Sequence, residues 1–87
     1  MNQKEILEKL SRAGGFLISN ERDGFAYEFS CYENVLSICS MDHNRLIGLD
    51  VKWEDVKILG NTINVVGTDD YDYKIHMEFM MVIPFEV

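Results

Sequence analysis

Apolar positions in this chain recur first at helical spacing and then, from Phe16 onward, at every second residue, so the change of period divides the sequence into a helix and a sheet. Ile6, Leu7, Leu10 and Ala13 share one helical face, and Lys4, Glu8 and Arg12 step along the opposite one. Asn2 with Glu5 three residues later has the form of a capping box, and Gly14 suits a left-handed C-terminal stop because it carries no Cβ. The pattern predicts a helix over residues 2–13.

A period of two follows to the end. Phe16 to Asn20 reads as a short strand and Glu21-Arg22-Asp23-Gly24 as a polar turn. Phe25, Tyr27, Phe29 and Cys31 then alternate with Ala26, Glu28, Ser30 and Tyr32, and the first set is the core face. A tight connection at Glu33-Asn34 places Cys31 opposite Leu36. One at Asp42-His43-Asn44-Arg45 pairs Met41 with Leu46 and carries the same face through Ile47, Leu49 and Val51. Trp53 shares that parity and is expected to pack in the core. A two-residue turn at Gly60-Asn61 brings Val56 and Ile58 against Val65 and Ile63. The final strand alternates from Tyr71 through Tyr73, Ile75, Met77, Phe79, Met81 and Ile83 to Phe85. For Val65 to meet Tyr73 and Ile63 to meet Ile75, the loop around Gly67-Thr68-Asp69-Asp70 must hold an odd number of residues, since a slip of one exchanges faces. A bend is expected near Met80, and Pro84 implies an edge or chain end. The fold class predicted is α+β: one domain over residues 1–87, a short N-terminal helix packed on a twisted antiparallel meander of six or seven strands spanning 16–85.

Composition narrows the function. Eighty-seven residues, 47% hydrophobic, supply one core. No apolar run approaches the roughly 20 residues that span a bilayer, and no secretory leader is evident, so a cytoplasmic location with two free cysteines is expected. The net charge is −7; residues 23–87 hold twelve acids against four bases, whereas residues 1–22 are nearly balanced. An acidic sheet repels phosphate backbones and anionic membranes and attracts a basic partner, which excludes direct nucleic-acid and membrane binding from the expectations.

Candidate chemistry is sparse. Cys39 and His43 have a C-x3-H spacing, with Cys31 and His76 as distant potential zinc ligands. The strand register puts Cys31 and Cys39 on opposite faces, which argues against a shared ion or a disulfide. Asp69, Asp70 and Asp72 lack the twelve-residue spacing of a calcium loop. No phosphate-binding glycine loop, metalloprotease helix or nucleophile elbow occurs, and no enzymatic activity, cofactor or metal is expected. Glu54, Asp55, Asp69, Asp70 and Asp72 lie outside the inferred core and are the candidate partner-binding residues.

With Asp23, Glu28, Asp42 and Asp50, these acids, the chain's size and its helix-plus-sheet pattern resemble the small phage-encoded counter-defence proteins: anti-CRISPR proteins, anti-restriction DNA mimics and the uracil-DNA glycosylase inhibitor. The resemblance implies a stoichiometric inhibitor whose carboxylates replace phosphates on the basic, nucleic-acid-binding surface of a larger nuclease, such as a CRISPR effector or a restriction enzyme. Two other expectations stand beside it. One is a housekeeping or immunity-type module with an apolar interface around Met80, Val82 and Tyr32; the other is a small zinc-containing protein.

Overall fold

The computed structural model describes residues 2–20, 24–41 and 48–84. Helix α1 (Gln3–Arg12) begins where Asn2 Oδ1 accepts the Glu5 N–H at 2.9 Å and stops at Ala13, with Gly14 following at φ 73°. Leu7 and Leu10 are buried, whereas Ala13 is exposed and Ile6 half-buried, so the buried stripe is narrower than the sequence spacing suggests.

Seven strands follow: β1 (Phe16–Ser19), β2 (Ala26–Cys31), β3 (Val35–Ser40), β4 (Gly48–Lys52), β5 (Val56–Leu59), β6 (Thr62–Thr68) and β7 (Lys74–Val82). They pair antiparallel in the order β4-β3-β2-β1-β7-β6-β5, and β4 also pairs with β6. The helix and antiparallel sheet of the α+β expectation are present, but the open meander is corrected to a closed six-strand barrel, with β5 appended along β6. Two pairings close it. β1 lies against β7, with Leu17 opposite Met81, and β4 meets β6 where Asp50 stands opposite Thr68. Closure removes open sheet edges that a flat meander would leave exposed.

The corner between β4 and β5 is a single 3₁₀ turn, Trp53–Asp55. From Asp50 to Val56 the chain advances six residues while β6, from Thr68 back to Val65, advances three; the difference equals the three residues of the turn. The turn thus lets one continuous path leave β3 and join β6. Buried Gly67 makes the approach possible, because a Cβ there would stand 2.7 Å from Leu49 Cγ and 2.8 Å from the Asp50 carbonyl oxygen.

The expected registers hold for three strand pairs. Cys31 stands opposite Leu36, Ile38 stands opposite Leu49 in step with the expected Met41–Leu46 pairing, and Val56 and Ile58 stand opposite Val65 and Ile63 across Gly60-Asn61. The Met41–Leu46 pair, the turn at 42–45, Ile47, residues 21–23 and Phe85 lie outside the described residues. The β6–β7 register is corrected: Val65 faces Met77 and Ile63 faces Phe79. The connection has five residues, 69–73, so its odd parity holds while the strands are displaced by four positions. The core is built from Leu7, Leu17, Leu36, Ile38, Leu49, Val51, Ile63, Val65 and Phe79, and Tyr27 meets Phe79 edge to face at 5.1 Å.

Candidate protein-binding site

The displaced register takes Tyr71 and Tyr73 out of the core face on which the alternation places them. Both are exposed, at 81% and 70%, in the loop between β6 and β7. The cause is Asp69. Its Oδ1 accepts the backbone N–H of Tyr71 and of Tyr73, each at 2.9 Å, while its own N–H donates to the Tyr73 carbonyl at 3.1 Å. Asp72 N–H donates to the Asp69 carbonyl, and Asp72 adopts φ 63°, a conformation Asp tolerates better than most residues. The loop is therefore an ordered turn that projects Asp70, Tyr71, Asp72 and Tyr73 outward. Among the three aspartates it divides the work: Asp69, half-buried, builds the turn, and exposed Asp70 and Asp72 carry its outward charge.

Glu54 and Asp55 are exposed, as expected, but the 3₁₀ turn separates them. Asp55 joins Asp50, Lys52, Thr68 and Lys74 around a 280 Å³ cleft at the β4–β6 seam, where two lysines offset two carboxylates. Glu54 lies with Glu33, Asn34, Val35, Lys52 and Trp53 around a second cleft of 390 Å³. Trp53, half-buried against the core, donates its Nε1–H to the Tyr32 carbonyl at 2.8 Å and pins this corner to the β2–β3 turn. The Asp69–Tyr73 loop thus holds three of the candidate acids together, while Glu54 and Asp55 face different surroundings.

Sequence reasoning missed the two tyrosines as surface residues. The available signal was Asp69 itself, an Asp followed two and four residues later by positions whose N–H groups it can accept.

The cysteines are free and separate. Cys31 lies under α1 beside Glu8, Ser11 and Arg12, where burial pushes its thiol up and the Glu8 carboxylate adds to the effect. Cys39 stands opposite Glu28 on β2, out of step with the buried positions Leu36, Ile38 and Ser40. Among the described residues no group of three His, Cys, Asp or Glu is placed to hold a metal ion; His43 lies outside them, and His76 is exposed on β7. The proposed apolar cluster is dispersed as well. Met80 and Val82 sit on β7, Tyr32 follows β2, and β1 lies between those strands. Among the described residues no helix is long and apolar enough to cross a membrane. No protein-family model, curated protein or solved structure matches the chain.

Proposed function

We propose that this chain is a non-catalytic, stoichiometric inhibitor that binds a basic, nucleic-acid-binding surface on a larger nuclease of the CRISPR-effector or restriction class. One observation carries the reading: the Asp69–Tyr73 loop presents two carboxylates and two exposed tyrosines on a backbone fixed by its own hydrogen bonds. Carboxylates supply long-range attraction to a basic groove, and tyrosines supply rigid contact area at low entropic cost. Contact residues are Asp70, Tyr71, Asp72 and Tyr73. Asp55 adds a carboxylate at the β4–β6 seam and Glu54 one beside the β2–β3 turn, and Asp69 acts by holding its own loop.

The direct test is a cleavage assay over a panel of purified CRISPR effectors and restriction enzymes, each titrated with the chain. One or more nucleases should lose activity at near-equimolar ratio, and Asp70→Lys with Asp72→Asn should weaken the effect by at least about tenfold. Inhibition by that double variant equal to the parent would refute the assignment of the loop.

A further inference from the structure

At the other end of the β6–β7 ribbon lies a surface of opposite character. Ile6 and Leu10 of α1 with Ala13 at its C-terminal cap, Met81 of β7 with Ile83 just beyond it, and the Gly60-Asn61 turn line an open apolar cleft of about 350 Å³. Among the described lining residues Lys9 is the one that carries charge, and among the described residues it forms no ion pair. An apolar cleft with a single cation at its rim fits an aromatic side chain accompanied by a carboxylate. The Asp69–Tyr73 loop has that chemistry, with Tyr71 81% exposed between Asp70 and Asp72. A chain cannot seat its own Asp69–Tyr73 loop in its own cleft: the loop joins the strands beyond Thr68, the cleft lies beyond Thr62 at the other end of β6, and six residues of strand separate them by roughly 20 Å.

We propose that the cleft receives the Asp69–Tyr73 loop of a second copy of this chain, with Tyr71 against Leu10, Met81 and Ile83 and a carboxylate of Asp70 or Asp72 against Lys9. The contact is head-to-tail, because loop and cleft are different surfaces, and each added copy leaves one of each open. One loop in one cleft buries little area, so the association is weak and reversible. Net charge opposes it at low ionic strength. At physiological salt repulsion between distant charges is screened over about 8 Å, and the close Lys9–carboxylate pair persists. A basic partner that takes the loop competes with the second copy.

Sedimentation velocity on the full chain tests this without any nuclease, so its failure is separable from failure of the inhibitor reading. Between about 10 µM and about 1 mM at physiological salt, the weight-average sedimentation coefficient should rise with concentration. Lys9→Glu, Tyr71→Ala, and Asp70→Lys with Asp72→Asn should each weaken association about tenfold or more while circular dichroism stays native, since all these side chains are exposed. Mixing Lys9→Glu with the loop variant should restore association, because the unaltered loop of the first then meets the unaltered Lys9 cleft of the second. A monomer throughout the range overturns the proposal. So does association that survives the Lys9 or loop substitutions, or a mixture that stays monomeric.

Discussion

Asp69 turns its carboxylate back to the chain, and Asp70 and Asp72 turn theirs to solvent, so equal residue types in one loop carry different consequences. Replacing Asp69 by Ala removes the acceptor of two backbone N–H groups and should cost about 1–2 kcal/mol in chemical denaturation. Asp69→Asn, which keeps an oxygen at that position, should recover most of it. Asp70→Lys with Asp72→Asn should change stability by less than about 0.5 kcal/mol; Asn is chosen at 72 because it accepts the positive φ. At Cys31, burial and Glu8 raise the thiol pKa. The folded state therefore holds that proton more tightly than the unfolded chain. Its contribution to stability is intact below the ordinary thiol range and declines as pH rises through that range toward the folded value. Alkylation of native Cys31 by iodoacetamide should accordingly lag a free cysteine at neutral pH and accelerate only in more alkaline solution. A rate equal to that of a free thiol at neutral pH would contradict the burial beneath α1.

Closure depends on a few elements meeting at β6. Gly67→Ala would drive a methyl into Leu49, Val51 and the Asp50 carbonyl, and should destabilise the domain by about 1–3 kcal/mol, more than a surface substitution. Phe79→Ala, which empties the centre of the core beside Tyr27 and opposite Ile63, should cost about 3–5 kcal/mol by the same denaturation measurement. The elements differed in how far the sequence announced them. Helix α1, the hairpins closed at Glu33-Asn34 and Gly60-Asn61, and the core faces of β2, β3 and β4 follow from local periodicity and two-residue turns, which fix register on their own. The β6–β7 register does not, because Asp69 holds five residues out of the ladder and alternation from Tyr71 to Ile75 continues through the loop without marking where pairing begins. Closure was hidden for a different reason. The β1–β7 contact joins distant parts of the chain, and Gly67 reads as a loop residue until β4 is known to pass beside it. For the candidate site, the exposed acids were legible from composition and turn chemistry. The tyrosines were not, and the separation of Glu54 from Asp55 depends on a 3₁₀ corner that alternation does not describe.

On the scale of the whole molecule, the β6–β7 ribbon has an acidic, aromatic turn at one end and an apolar, lysine-rimmed cleft at the other. Helix α1 contributes to the cleft end, so it forms part of a surface as well as a cover for the core. The chain's net charge of −7 favours a basic partner, and the proposal places recognition of that partner at the turn end of the ribbon. The measurement that tests this most directly is the salt dependence of the dissociation constant for a nuclease found to be inhibited, determined for the parent chain and for Asp70→Lys with Asp72→Asn. Affinity of the parent should fall steeply as ionic strength rises from about 50 to 200 mM, and the variant should bind more weakly with a shallower slope. Equal affinities, or a parent interaction indifferent to salt, would contradict an electrostatic role for the loop.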